Sequence, residues 1–273
     1  MEATERDIRK RSFDAVAEQY ETARPSYPEA VFDDLASLAQ LPPAGWILEM
    51  GCGPGKATLP LARRGFRVTC VELGANLAAI ARERLSEFPL VEIVNADFEQ
   101  WDPGDARFDA VAAFSSFHWL DPDTKYELCA DRLRRGGALT VVQNRHVRRD
   151  NHDPFWVDVQ ADYEAVLPSD DNGPPPLAGD VGDLSEEIAE SGFFESAVVR
   201  RYAWDREYTA DEHLAVIGTY SPMLTLDPTL RDELFARMRA RIDARDTKTV
   251  TKTYLTTLNV AKRRLRARGY CAL

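Results

Sequence analysis

The sequence is poor in the features that mark disulfide-rich, zinc-binding and membrane-spanning proteins. Its 273 residues include only four cysteines, which are scattered and form no C-x-x-C pair. Neither a zinc site nor a disulfide framework is therefore expected. No apolar run reaches the length of about 18 residues that a spanning helix needs, and no leader-like segment opens the chain. These absences predict a cytoplasmic protein without a bound metal.

Positive charge is also scarce. The chain has 34 Lys and Arg against 45 Asp and Glu, which gives a net charge of −11 and an isoelectric point near 5.0. Nucleic-acid-binding domains usually leave a basic footprint, so we expect no nucleic-acid partner. The hydrophobic content of 44% is enough to bury one or two cores. We expect a monomer or a homodimer.

The stretch that organises the chain is W-I-L-E-M-G-C-G-P-G at residues 46–55. An apolar run of strand length meets Glu49, and glycine then occupies every second position up to Gly55. A strand that turns so sharply into a helix leaves backbone N–H groups unpaired, and glycine lets a ligand approach them. A dinucleotide fingerprint would need its third glycine where Lys56 stands, and no P-loop G-K-[ST] follows. Glu49 would repel phosphate and suits a ligand with an ammonium group.

Strands and helices then alternate, which predicts a doubly wound sheet. Glu72 ends the second predicted strand, 17 residues beyond Gly55, where a βαβ unit places an acid for ribose hydroxyls. Asp97 stands near the end of the third strand, and the fourth strand, 108–114, leads to His118 and Trp119. Ligands bind at the carboxyl ends of such strands.

Together these stretches resemble the class I S-adenosylmethionine (SAM) methyltransferases, in the type 11/25-like group near the trans-aconitate methyltransferase relatives. Residues 49–55 resemble motif I (E-x-G-x-G-x-G), F-D-x-V and the following H-W resemble motif IV, and 134–139 match R-x-G-G-x-L. Residues 13–28 (F-D-x-x-A-x-x-Y-x-x-x-R-P-x-Y-P) look like a segment that folds over the cofactor. The resemblance implies an α/β fold: a seven-stranded, doubly wound Rossmann-like sheet whose last strand is antiparallel, with a helical cap formed by insertions.

The resemblance also implies SAM as cofactor, a small-molecule substrate, no metal, and roles for particular residues. Glu72 would accept hydrogen bonds from the ribose, and Asp97 from the adenine amino group. Arg24 would lie near the methionine end and pair with its carboxylate. The implied cofactor-binding residues are Tyr20, Arg24, Glu49, Gly51, Gly53, Gly55, Glu72, Leu73, Asp97, Phe98, Ser115 and His118. The implied substrate-binding residues are Trp119, Asn144, His146 and Tyr220, and His118 and Trp119 are the catalytic candidates.

We divide the chain into a cofactor cover, a SAM-binding core and a cap. The cover is 1–40, the core is 41–145, 183–202 and 249–273, and the cap insertions are 146–182 and 203–248. Three functions remain open: O-methylation of a carboxylate or hydroxyl, which we prefer; C- or N-methylation of a metabolite or natural-product intermediate; and SAM binding without catalysis.

The H-W pair bears on whether the methyl acceptor is a hydroxyl or a carboxylate. A hydroxyl starts protonated and gains from a base, and a histidine with its ordinary pKa of about 6.5 suits that task. A carboxylate is already ionised and needs only donors such as an indole N–H. Because the pair resembles that of carboxyl-methylating relatives, the sequence favours a carboxylate held by Trp119.

Overall fold

The computed structural model describes residues 3–169 and 173–265. The sequence pattern also predicts a proline-rich loop at 168–176 and a basic solvated run at 262–268. Residues 170–172 of that loop, residues 266–268 of that run and Cys271 lie outside the described residues.

Seven strands and twelve α-helices make up the described structure. The strands are Trp46–Met50 (β1), Arg67–Glu72 (β2), Val91–Asn95 (β3), Phe108–Phe114 (β4), Leu133–Val147 (β5), Val198–Thr209 (β6) and Thr249–Lys262 (β7). The helices are Ala3–Ser12 (α1), Ala17–Ala23 (α2), Glu29–Leu38 (α3), Thr58–Arg63 (α4), Ala75–Arg84 (α5), Lys125–Arg132 (α6), Phe155–Asp158 (α7), Gln160–Val166 (α8), Ser185–Glu190 (α9), Ala210–Gly218 (α10), Ser221–Leu224 (α11) and Pro228–Asp243 (α12).

The strands form one sheet in the order β3-β2-β1-β4-β5-β7-β6. The first five are parallel, and β7 is antiparallel to both neighbours. The predicted α/β fold with seven strands and an antiparallel last strand is confirmed. The strand order reverses at β1 and β4, and open α/β sheets bind ligands at the carboxyl ends of strands at such a point.

Helices cover both faces of the sheet, which is why the central strands are apolar throughout. In β1 the four residues after Trp46 are all buried. Val31, Leu61 and Ala81 of α3, α4 and α5 belong to the cluster on one face. Cys129 of α6 and Ile188 of α9 belong to the cluster on the other face.

A third apolar cluster lies in the helical cap. Trp156 of α7, Leu214 of α10 and Met238 of α12 pack together beside the ends of β6 and β7. An ion pair ties α8 to α12, because Arg241 donates to both carboxylate oxygens of Asp162 at 2.7 and 2.9 Å. Among the described helices, none is both long and apolar enough to cross a membrane.

Two strand predictions were wrong in extent. The apolar run 139–143 predicts strand five, but β5 runs from Leu133 to Val147, with Gly136 at φ +74° and a register irregularity in the β4–β5 pairing near its start. The run 193–202 predicts strand six, but β6 covers 198–209. It is an edge strand that pairs only with β7, so its charged residues alternate towards solvent and hide the pattern. The division into cover, core and cap stays a prediction.

Candidate active site

A cleft of about 440 Å³ opens at the carboxyl ends of β1, β2 and β4. The N-terminal segment and the helical cap form its other walls. The structure brings together fourteen of the sixteen predicted site residues here. They are Tyr20, Arg24, Glu49, Gly51, Gly53, Glu72, Leu73, Phe98, Ser115, His118, Trp119, Asn144, His146 and Tyr220.

The turn after β1 needs glycine at two positions for different reasons. Gly51 has φ +59°, and a Cβ there would lie 2.9 Å from the Cβ of Ser116. Gly53 has φ +56°, and the nearest atom to its ideal Cβ is a ring carbon of Tyr20 at 3.9 Å. A side chain at Gly53 would therefore project into open space in the cleft, which is the space a ligand needs to reach the backbone.

Glu72 ties this turn to the helix that follows β2. Its two carboxylate oxygens accept the backbone N–H groups of Gly53 and Gly74, each at 2.8 Å. The side chain is buried, which raises its pKa, although the two N–H donors act in the opposite direction. The carboxylate is thus fixed at the cleft wall with both oxygens in defined positions.

Glu49 is the most deeply buried acid of the cleft, with 1% of its surface exposed. One oxygen accepts from the Thr58 hydroxyl at 2.8 Å, and the other, Oε1, has no partner among the described residues. Burial raises the pKa of Glu49 to about 7, against the opposing hydrogen bonds from Thr58 and Cys70. An unpartnered buried carboxylate oxygen fits a cationic ligand group, because a positive charge would stabilise its ionised form.

Asp97 and Gly55 do not line the cleft. The ammonium of Lys10, which does line it, lies 3.2 Å from one oxygen of Asp97 and 3.1 Å from Glu99. An adenine amino group would have to share Asp97 with this lysine, so the role of Asp97 stays a prediction. Gly55 serves packing, since a Cβ there would lie 2.9 Å from a methyl carbon of Leu85.

The N-terminal segment closes over the cleft. Asp14 accepts the backbone N–H groups of Asn76 and Leu77 at 2.8 and 3.1 Å, so it caps the start of α5. Phe13 packs edge-on against both Tyr20 and Trp119, with ring centroids 5.9 and 5.6 Å apart. Residues 13–20 are therefore anchored to α5 on one side and to the end of β4 on the other.

The end of β4 carries the acceptor-side candidates. Ser115 has φ +56°, an unusual backbone conformation for a residue with a side chain, and its hydroxyl accepts from Tyr27 at 3.0 Å. His118 and Trp119 follow, with ring centroids 4.5 Å apart. The His118 side chain is exposed at the cleft, where partial desolvation by the surrounding protein atoms, with Arg145 and Lys125, lowers its pKa to about 4. His118 is therefore uncharged at neutral pH.

A second cavity of about 300 Å³ lies inside the cap and adjoins the cleft. His146 and Tyr220 line both spaces. Lys252 and His213 line the inner one and are 1% and 2% exposed. Burial, together with Lys252, lowers the pKa of His213 to about 3, so this imidazole is neutral.

The sequence pattern missed several residues that form the site. Tyr27 stands in the R-P-x-Y-P segment that we quoted, so its position gave a usable signal. Lys10, Lys252 and Tyr254 gave none, because their contacts in the site join segments far apart in sequence.

A mixed seven-stranded sheet with this strand order and a glycine turn at its switch point defines a methyltransferase fold. Residues 47–137 match a family model described as a methyltransferase domain. An uncharacterized methyltransferase of Mycobacterium tuberculosis is 33% identical over 138 residues, which cover 50% of this chain and 54% of the relative. A trans-aconitate 2-methyltransferase of Paracidovorax citrulli is 36% identical over 146 residues, 49% of this chain and 55% of the relative. The chain thus spans about half the length of these curated relatives.

Solved structures agree on the fold. A protein of Anaeromyxobacter dehalogenans assigned as a type II methyltransferase superimposes with a TM-score of 0.59 at 23% identity, covering 88% of this chain and 97% of that one. A phosphoethanolamine N-methyltransferase of Haemonchus contortus, solved with S-adenosylhomocysteine (SAH), gives a TM-score of 0.51 at 15% identity, covering 92% and 58%. By these matches, residues 47–137 are similar to a methyltransferase domain, and the described chain shares the fold of solved methyltransferases.

The residues of the cleft fit the cofactor of this family. The unpartnered oxygen of Glu49 suits its ammonium group, and Glu72 offers a carboxylate for ribose hydroxyls. The open space at Gly53 leaves the backbone accessible. The Arg24 guanidinium lies in the same cleft, where it would meet the cofactor's carboxylate.

Proposed function

We propose that this protein transfers the methyl group of SAM to an oxygen atom of a small-molecule acceptor. The observation that carries the proposal is the single cleft that holds Glu49, Glu72 and the H-W pair together. The sulfonium of SAM supplies an already activated methyl group. The chain's own residues then have to bind, orient and exclude water.

Each part of the cleft has a task in this proposal. Glu49 binds the ammonium group of SAM, and Glu72 binds its ribose hydroxyls. Arg24 pairs with its carboxylate. Phe13 and Trp119, in edge contact, exclude water from the strand-four end. Asn144, which lines the cleft from β5, offers the acceptor a polar contact.

The acceptor group itself has two candidates. The name of the trans-aconitate 2-methyltransferase relatives favours a carboxylate, which Trp119 would hold through its indole N–H. The cations Arg24 and Lys252 at the cap side are compatible with an anionic acceptor as well. A hydroxyl acceptor would require a proton acceptor in the cleft, and with a pKa of about 4 His118 is a weak base.

Calorimetry with SAH tests the cofactor half of this proposal. Glu72→Ala should weaken binding by about 1–3 kcal/mol, because charge-assisted hydrogen bonds are lost. Glu83→Gln is the matched control, since Glu83 is an exposed acid on α5. Wild-type affinity in Glu72→Ala would refute the assignment of Glu72, and NAD binding by the wild type would refute the cofactor.

Transfer of radiolabelled methyl groups from SAM into a metabolite extract tests the reaction. A labelled product identified as an ester or ether supports O-methylation, and a labelled amine or carbon centre assigns N- or C-methylation instead. SAH binding without any labelled product would make the protein a non-catalytic SAM-binding protein.

A further inference from the structure

Tyr220 forms the partition between the cofactor cleft and the cap cavity, since its side chain lines both. It precedes α11, where the chain turns back from α10. The ammonium of Lys252 donates to its phenolic oxygen at 2.8 Å. The guanidinium carbon of Arg24 lies 4.2 Å from the centroid of its ring. Two cations therefore converge on one tyrosine in the wall of the site.

Neither cation has an acidic partner in the described part of the chain. Lys252 is 1% exposed, and its hydrogen bond goes to Tyr220. Arg24 donates to the hydroxyl and the carbonyl of Thr219 at 2.7 and 3.0 Å. A buried charge without a counter-charge is unfavourable by several kcal/mol. The Tyr220 hydroxyl is the nearest group that can become an anion, so both cations stabilise its ionised form.

Tyr254 lines the same cleft as Tyr220 and stays protonated. Its hydroxyl lies 2.8 Å from that of Tyr208. Burial, with the neighbouring Tyr220 and Tyr208, raises the pKa of Tyr254 well above its usual value. Tyr254 therefore keeps its proton and adds no negative charge beside Tyr220.

The remaining titratable groups that face Tyr220 are uncharged at neutral pH. Burial, with Lys252 and His213 adding to it, lowers the pKa of His146 far below its usual value. Burial and the proximity of Tyr220 raise the pKa of Tyr163 to about 12, and burial also raises that of Tyr20. None of these groups offsets the positive charge of the two cations.

The balance of these effects lowers the pKa of Tyr220. Burial by itself would raise that pKa, but Lys252 and Arg24, together with the hydrogen bond from Lys252, bring it below the ordinary value of about 10. The Lys252 ammonium also holds the phenolic oxygen in place, so this oxygen needs little reorganisation to receive a proton.

We infer that Tyr220 is the proton acceptor of this site and that the methyl acceptor presents a hydroxyl group to it. The inference rests on the proposed methyl transfer. The hydroxyl proton passes to the Tyr220 oxygen, and the electron pair of the O–H bond stays on the acceptor oxygen. That oxygen forms the new bond to the methyl carbon, while the pair of the broken C–S bond stays on sulfur. Lys252 holds the Tyr220 oxygen throughout.

An ultraviolet titration of tyrosinate absorbance tests the inference on the full chain without cofactor or acceptor. The difference between wild type and Tyr220→Phe should show one tyrosinate that forms at lower pH than the rest of the nine tyrosines. Tyr163→Phe is the matched control, because Tyr163 lines the same cap cavity and its pKa is raised to about 12. Lys252→Met should move the Tyr220 signal upwards; if that variant does not fold, the comparison with Tyr163→Phe decides alone.

A Tyr220 signal at or above that of Tyr163 overturns the inference, whether or not the protein transfers methyl groups. Conversely, if no methyl transfer is detected, the tyrosinate titration can still be measured. The failure of this inference and the failure of the proposed function are therefore distinguishable. Once the labelled product is identified, Tyr220→Phe should lower kcat about 100-fold or more and remove the rise of the rate with pH. A methyl ester product, formed at a rate that does not depend on pH, would also overturn the inference.

Discussion

Replacing Glu49 by glutamine separates the stability of the fold from the binding of the cofactor. Glu49 is 1% exposed, and burial raises its pKa from 4.5 to about 7. The folded state thus holds a proton that the unfolded state releases, and the stability of the wild type falls as pH rises from about 4.5 to 7. At about 1.4 kcal/mol per pKa unit, the ionised carboxylate disfavours the fold by about 3 kcal/mol above pH 7.

Glu49→Gln should therefore be more stable than wild type by about 1–3 kcal/mol at pH 8, and by less than about 1 kcal/mol at pH 5. The amide oxygen can still accept from Thr58, so the packing is retained. Urea unfolding at the two pH values measures the difference. Equal stability of the two proteins at pH 8 would contradict the argument from burial.

Binding should respond in the opposite direction. If the ionised form of Glu49 pairs with the ammonium group of SAH, wild-type affinity should rise roughly tenfold between pH 6 and 8, as the carboxylate loses its proton. Glu49→Gln should bind more weakly and without this rise, and Glu83→Gln should behave as wild type. A wild-type affinity that stays constant over this range would show that Glu49 does not meet the ammonium group.

Three further predictions concern the turn, the cover and the H-W pair. Gly53→Val should abolish SAH binding in calorimetry, because the new side chain would enter the cleft. Gly65→Val is the control and should bind normally, since Gly65 also has positive φ (+81°) but no neighbour within 4 Å of its ideal Cβ. Equal losses in the two variants would mean that backbone strain alone is responsible. Hydrogen exchange in residues 13–28 should slow when SAH is added, and unchanged exchange would make the segment ordinary surface structure. His118→Gln should leave the pH dependence of the rate unchanged between about pH 6 and 8, since the pKa of His118 is about 4. Trp119→Phe should lose far more kcat/KM than His118→Gln. A rate that loses its pH dependence in His118→Gln would instead make His118 the proton acceptor.

The sequence by itself determined the centre of the sheet and most of the residues that line the cleft. The glycine turn, Glu72 and the strand-four end each lie within one strand and the turn that follows it, so residue type and spacing carry the information locally. Parallel strands then bring their carboxyl ends together. The prediction that Glu49, Glu72 and His118 lie in one cleft needed no knowledge of how the side chains pack.

Only the tertiary structure decided what surrounds that cleft. Lys10 reaches Asp97 across 87 positions, and Lys252 reaches Tyr220 across 32, so no local pattern reports either contact. The lowered pKa of His118 likewise depends in part on Arg145 of β5, which folding brings near the end of β4. The bounds of the edge strand β6 were predicted wrongly because about half of its residues face solvent, and only its pairing with β7 defines where it ends. The charge and burial around a side chain depend on neighbours that folding brings together. These surroundings decide which residues of the cleft can hold or release a proton.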